Sequence, residues 1–313
     1  MKASIVMCTH SRGHNMGEAL DSILEVDVPK GYLIELIVVE NGTKDNTEQV
    51  VAAKTSRRWD VRYIYEARKG KSRALNIGLQ SASGEVVLFV DDDLRFSRNW
   101  LSAMCEPIRN GTAAGVTSRI EIPAYLRRIW FHPYHLGWLG CLPYANPASP
   151  DEMPGANMAV CRSVIERVPS YDLELGGGAL GNCEDTLFSR QICAAGFKIA
   201  LARETHVEHH FDPRKLRYKQ WAMSAKSAGR SHAYLLHHWQ HGAISFPKIR
   251  LNFLSAKLSM RLSQSRQYGP DEEGIPPWEL SYRFEIAKLL QFQAERLRKR
   301  NYTRRGLIKQ SHN

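Results

Sequence analysis

The sequence predicts an α/β protein: a doubly wound, mostly parallel sheet flanked by helices, followed by a helical C-terminal extension. Three observations carry that prediction. Apolar or β-branched runs alternate with stretches of helical spacing over about the first 115 residues. One run, Val86-Val87-Leu88-Phe89-Val90, is apolar throughout, as a strand covered on both faces is. The last helical text is basic and set off by a polar stretch over 263–277.

The elements follow in order. Residues 4–7 form a first strand, which Cys8-Thr9-His10-Ser11-Arg12 cuts short, so the N-terminus reads as a strand and not as a signal peptide. Helical spacing over 17–24 and a β-branched run over 33–39 complete a strand, helix, strand unit. Residues 46–54 continue as a helix, 61–65 as a strand, 72–80 as a helix and 85–90 as the buried strand. From 119 to 150 the text turns aromatic and proline-rich without periodicity, and reads as a long functional loop that includes Trp130 and Trp138. Regular structure returns with a strand over 157–160, a helix over 184–195 stopped by Gly196, and a strand over 198–201. The chain is helical from 210 to about 239, and a last basic helix covers 278–300.

Composition bounds the function without naming it. With 313 residues, 43% hydrophobic and 24% charged, the chain buries a proper core, and disorder is excluded. The six cysteines are scattered, with neither a C-x-x-C pair nor zinc spacing, which fits a reducing cytoplasm. No uncharged stretch reaches the roughly 18 to 20 apolar residues that span a bilayer. The net charge of +11 gathers over 54–73, 214–230 and 296–305, and such patches suit a sugar diphosphate, anionic lipid or nucleic acid alike. No zinc-finger spacing or RNP-like motif accompanies them, so specific nucleic-acid binding is not expected.

In an open α/β sheet a ligand sits beyond the carboxyl ends of the strands. Here those ends are polar: Thr9 and Arg12 after the first strand, Glu40 and Asn41 after the second, Asp91, Asp92 and Asp93 after the fourth. Two readings fit the triplet. Hard oxygen donors suit Mg²⁺ or Mn²⁺ bridging a diphosphate, and in an extended segment Asp91 and Asp93 point the same way. Alternatively Asp92-Asp93 begins a turn or caps the next helix.

At this point the chain resembles the family 2 glycosyltransferases with the GT-A fold. Ile5-Val6-Met7-Cys8-Thr9-His10-Ser11-Arg12 is similar to the family's opening strand and Thr-x-x-Arg turn. Val38-Val39-Glu40-Asn41-Gly42-Thr43-Lys44-Asp45 resembles its second-strand signature, with Glu40 in place of the commoner Asp. Gly70-Lys71-Ser72-Arg73-Ala74-Leu75-Asn76 resembles its helix start, and Asp91-Asp92-Asp93 its Asp-x-Asp motif. Farther on, Gly155-Ala156-Asn157, the Glu184-Asp185 pair, Val207-Glu208-His209 after the last strand, and a Gly229-Arg230 turn continue the match in order.

The resemblance implies an inverting, metal-assisted transfer of a sugar from a nucleotide-diphosphate donor to a saccharide or lipid-linked acceptor. It implies that residues 1–115 form the nucleotide-sugar-binding half, 116–232 the acceptor and catalytic half, and 233–313 a basic helical extension. Thr9, Arg12, Glu40, Lys71, Asp91 and Asp92 would hold the donor, with Glu40 on nucleobase or ribose, Asp91 on ribose and Lys71 on a phosphate at a helix N-terminus. Asp93, with Asp91 and His209, would hold Mn²⁺ or Mg²⁺, His210 being the alternative to His209. Asp185 is the general base, although its role relative to Glu184 stays open. Asn157, Trp130 and Trp138 would meet the acceptor, the indoles stacking on sugar rings. A nucleotidyltransferase would need a Gly-rich clamp directly after the first strand, which Cys8-Thr9-His10-Ser11-Arg12-Gly13 lacks. A non-catalytic polyanion or membrane binder is the remaining rival. The helix over 278–300 either lies on an anionic membrane or packs on the domain.

Overall fold

The computed structural model describes residues 1–13, 16–54, 59–141 and 150–310. In chain order the elements are β1 (Lys2–Thr9), α1 (Gly17–Leu24), β2 (Leu33–Asn41), α2 (Thr47–Ala52), β3 (Asp60–Glu66), α3 (Lys71–Ser81), β4 (Val86–Asp91), β5 (Leu94–Phe96) and α4 (Trp100–Arg109). Then follow β6 (Gly115–Glu121), α5 (Pro133–Trp138), β7 (Asn157–Cys161), α6 (Arg162–Arg167), α7 (Glu184–Ala194), β8 (Ile199–His209), α8 (Tyr218–Tyr234), α9 (Pro247–Gln264) and α10 (Pro277–Glu295).

The chain divides into two compact units. The first comprises Met1–Arg127, Leu136–Leu173 and Glu184–Phe211, and holds the whole sheet. Its eight strands run in the order β3-β2-β1-β4-β7-β6-β8-β5. β3, β2, β1 and β4 are mutually parallel, whereas β7 is antiparallel to both β4 and β6. β6 is parallel to β8, and β5 closes the edge antiparallel to β8. The sheet is therefore mixed, with its parallel half at the N-terminal end of the chain.

The apolar runs explain why these strands sit centrally. In β4, Leu88 and Val90 join Ile5, Met7, Leu36 and Val38 in a core packed by Leu20 and Ile23 of α1 and Trp100 and Met104 of α4. Phe89 meets Tyr171 and Phe188 edge-on. Fully burying each such side chain contributes about 1.5–3 kcal/mol. α3 lies close on β1 because Gly78 carries no side chain: a Cβ there would stand 2.2 Å from Val6 Cγ1.

Several expectations change here. The expected loop over 119–150 contains the end of β6, a 3₁₀ turn over Ala124–Leu126 and α5, while 142–149 lie outside the described residues. Ile120, Ile122, Leu126 and Leu139 are buried, and their apolar contacts draw the segment into order. The last strand does not end at 201 but runs to His209, because it pairs first with β6, shifts register at Ser118/Arg119, and then takes β5 alongside.

The second unit comprises Arg128–His135, Glu174–Cys183 and Asp212–Asn313. It begins ahead of the expected boundary at 233, because α8 packs along α10. Gly229, expected in a turn, lies inside α8; a Cβ there would stand 2.2 Å from the Phe284 carbonyl oxygen, so it marks a close helix crossing. α10 buries Leu280, Leu289 and Phe292 and packs along α8. α9 lies outside the expected set. No helix among the described residues is long and apolar enough to cross a membrane.

Candidate active site

Parallel registration brings the polar strand ends to one edge, with Thr9 opposite Glu40 and Cys8 opposite Asp91. The aspartate triplet then divides. β4 ends at Asp91, and Asp92 and Asp93 form a turn into β5. The alternation expected of an extended segment therefore fails, and Asp91 and Asp93 take different partners.

Asp91 turns to Lys71, whose Nζ stands 3.1 Å from Asp91 Oδ1 and 3.4 Å from Glu184 Oε1. Burial pulls the Lys71 ammonium down, but Asp91, Glu184 and Asp185 outweigh it and hold it well above its ordinary value. Lys71 is thus a fixed cation at the first turn of α3, and helix N-termini favour anions. Burial pushes the Glu184 carboxyl up to about 7, against the opposing pull of Lys71.

Asp92 is buried and accepts hydrogen bonds from Thr9 Oγ1 (2.6 Å) and Arg12 Nη1 (2.8 Å). It joins the first turn to the fourth strand, so of the two readings of the triplet it takes the turn-shaping one. Arg12 also donates to Asp93 Oδ2 at 3.0 Å.

On its other side Asp93 meets His209, with 3.3 Å between Oδ1 and Nε2. The β5–β8 pairing, Leu94 opposite His209, makes this meeting possible. His209 Nδ1 is 3.0 Å from the Leu139 carbonyl oxygen. A carbonyl only accepts, so Nδ1 carries a proton, and in the neutral ring Nε2 presents its lone pair to the carboxylate. Nε2 is buried and makes no hydrogen bond among the described residues. A lone pair facing a carboxylate oxygen fits a divalent cation bound by both. The His210 ring goes instead to Glu208 and Tyr125. Asp91, also expected on the metal, pairs with Lys71 here, and no group of three or more His, Cys, Asp or Glu among the described residues is arranged to hold a metal by itself.

Asp185 stands in the first turn of α7, half-buried. Its Oδ2 accepts from the Gly155 N–H and its Oδ1 from the Thr186 N–H, both at 2.7 Å. Two backbone donors fix the carboxylate's direction and leave each oxygen with a further lone pair.

Other expected contacts lie elsewhere. Asn157 is fully buried; its Oδ1 accepts from Trp100 Nε1 (2.9 Å) and its Nδ2 donates to Ser118 Oγ (2.7 Å). Both ends of the amide are committed to bracing the sheet, which corrects the acceptor-binding expectation. Glu40 is fully buried, with Oε1 accepting from the Asp45 N–H at 2.7 Å and Oε2 from the Tyr63 hydroxyl. Its side chain is closed off from solvent in this arrangement. The Trp130 ring packs edge-on against Phe131, His135 and Trp221 in the second unit, and Trp138 ends α5.

Two participants were not among the expected site residues. Asp45 ties the turns together, accepting from the Gly13 N–H (3.0 Å) and the Thr47 N–H (2.8 Å); an Asp two residues before a helical Thr is a turn signal the sequence did carry. The Leu139 carbonyl that sets the His209 tautomer left no signal, since a backbone atom has no residue type.

The profile of Glycosyl transferase family 2 matches residues 4–166. An uncharacterised glycosyltransferase of a Nostoc species is 27% identical over 123 residues, 39% of this chain but only 37% of that protein. A succinoglycan biosynthesis protein of Rhizobium meliloti is 25% identical over 253 residues, 76% of each chain. Among solved structures, a mannosyltransferase from Pyrobaculum calidifontis in complex with GDP-mannose and Mn²⁺ aligns with a TM-score of 0.58 at 19% identity, covering 94% of this chain and 86% of that one; this likeness speaks for the fold. The strand-end carboxylates, the Lys71 helix start and a family profile spanning more than half the sequence agree, and the chain belongs to glycosyl transferase family 2.

Proposed function

We propose that this glycosyltransferase moves a sugar from a nucleotide-diphosphate donor to an acceptor hydroxyl with inversion, and that a divalent cation, Mn²⁺ or Mg²⁺, assists. The observation that carries the cation is the Asp93–His209 pair, a carboxylate facing a tautomer-fixed imidazole nitrogen. When bound there, the cation would offset charge on the departing diphosphate.

Lys71, at the start of α3, neutralises a phosphate oxygen. To do so it shares or leaves Asp91, which is then free to turn to the ribose. Asp185 takes the proton of the acceptor hydroxyl while that oxygen bonds to the anomeric carbon from the face opposite the diphosphate. The bond between that carbon and the phosphate oxygen breaks, and the nucleoside diphosphate leaves with the electron pair. Asp185 suits the base better than Glu184, because Glu184 is buried against Lys71 whereas Asp185 is partly open to solvent. Trp138 is proposed to stack on a sugar ring; Trp130 is occupied by its own aromatic cluster.

The likeness to a succinoglycan biosynthesis protein favours a saccharide or lipid-linked acceptor in polysaccharide or cell-surface glycan synthesis. The test is a panel of nucleotide sugars scored by thermal unfolding with and without Mn²⁺, since a bound donor raises stability by linkage. At least one donor should raise Tm in an Mn²⁺-dependent way, and His209→Ala and Asp93→Asn should lose that shift. A panel that leaves Tm unmoved, or a shift retained in His209→Ala, would overturn the reading.

A further inference from the structure

Beyond the patch over 54–73, the excess positive charge of this chain lies in its C-terminal part. Residues 212–313 contain 20 Lys and Arg against 7 Asp and Glu, a net +13, while residues 1–211 carry 23 against 25. From 213 to 270 there are 11 basic residues and no acidic one. α9 lies in the middle of that stretch.

α9 has no fully buried residue, yet it is rich in large apolar side chains. Leu251, Leu254, Leu258 and Leu262 are partly covered, and α9 packs on α10. At about 100° per residue these four leucines share one face of the helix. On the opposite face Ile249, Phe253 and Met260 are 68%, 62% and 52% exposed, and Phe246 at the N-cap is 74% exposed. Spaced i, i+3, i+7 and i+14, they form one stripe about 20 Å long. Arg250, Lys257 and Arg261 lie along one flank, and Lys248 with Ser255 and Ser259 along the other. Two of the cations also cap aromatic rings of α10, Arg261 over Trp278 and Lys257 over Tyr282, which holds them beside the stripe. Phe246 sits in the left-handed region at φ +50°, a costly conformation for a bulky residue.

We propose that the outer face of α9 is a docking surface for an anionic phospholipid bilayer. The helix lies in the plane of the interface, with Phe246, Ile249, Phe253 and Met260 entering the acyl boundary and the flanking cations meeting lipid phosphates. Charge selects this occupant over a second copy of the chain. Pairing two α9 stripes would set Lys248, Arg250, Lys257 and Arg261 against the same four cations, with no acid on either helix to answer them. A membrane rich in anionic headgroups supplies the missing charge. The proposal does not rest on the transfer chemistry, because its readout needs no sugar donor.

The full chain should cosediment with vesicles in which about a third of the lipid is an anionic glycerophospholipid, and not with neutral choline-lipid vesicles, at about 0.1 M salt. The triple variant Ile249→Ser/Phe253→Ser/Met260→Ser should partition at least tenfold less while keeping the parent's Tm, since these side chains are exposed. Lys248→Gln/Arg250→Gln should weaken partition several-fold, and added salt should weaken the parent in the same sense. Three outcomes overturn the proposal: no sedimentation of the parent with anionic vesicles, equal partition of parent and triple variant, or a parent dimer in sedimentation equilibrium that the triple variant abolishes.

Discussion

Asp185 holds its two backbone hydrogen bonds through atoms that an amide reproduces only in part, because the nitrogen of Asn cannot accept from an N–H. Asp185→Asn is therefore expected to lose the base and slightly disturb its seat. Turnover should fall by about 10²–10⁴-fold, with donor affinity within about threefold of the parent, the pattern of a group used in the transition state alone. Nucleotide release and donor binding measured side by side check this; an Asn variant with near-parental turnover would move the base to Glu184. The identity of these carboxylates was legible in the sequence, because an acidic pair opening a helix and a triplet ending an apolar strand stand out. Their partners were not. Asp91, Asp92 and Asp93 are neighbours in the chain, yet they pair with Lys71, with Thr9 and Arg12, and with Arg12 and His209, a division set by where β4 stops and the turn begins.

The position of Lys71 is decided by a helix lying on a strand. α3 approaches β1 across Gly78, where a methyl group would meet Val6 Cγ1 at 2.2 Å. Gly78→Ala is expected to cost about 1–3 kcal/mol as the helix moves away, and to raise donor KM, because the displaced helix carries Lys71 at its first turn. Urea unfolding and steady-state kinetics measure the two effects; parental stability would show that the interface has room. The spacing of 72–80 predicted this helix, and the apolar runs predicted β1 to β4, because strongly patterned elements follow from local sequence. β5 and β6 escaped for the opposite reason. β5 is three residues long, and β6, Gly-Val-Thr-Ser-Arg-Ile-Glu, has no clean alternation; both are strands because neighbouring strands supply their hydrogen bonds. Trp130 and Asn157 belong to the same lesson, since aromatic and amide side chains serve packing as readily as binding, and only burial distinguishes the two.

Across the whole molecule the ionisable groups are not spent only on the candidate site. Glu35 in β2 is buried at the opposite end of the strands from Glu40. Burial alone would raise its carboxyl, but hydrogen bonds from the Ser4 hydroxyl and from the Ser83 N–H and hydroxyl, with Lys2 nearby, hold it at about 2. A folded-state value below the unfolded one contributes stability at neutral pH that is lost as pH falls from about 5 towards 2. The parent should lose about 2 kcal/mol more than Glu35→Gln over most of that window, measured as the difference in unfolding free energy at pH 5 and pH 2.5. Equal acid sensitivity in the two proteins would mean that Glu35 titrates normally in the fold. The positive charge, by contrast, gathers in residues 212–313 and shows on α9 as a flank of cations beside an apolar stripe.

The sequence by itself determined the α/β class, the order of the parallel strands' polar ends and the family, because each of these is written in short contiguous motifs. The tertiary structure decided which side chains meet. His209 reaches Asp93 because β5 pairs with β8, Glu40 is sealed by Tyr63 of β3 and Asn157 by Ser118 of β6 and Trp100 of α4, and the exposed stripe of α9 exists because only its other face packs on α10. These are non-local pairings, and no local pattern of residues specifies them.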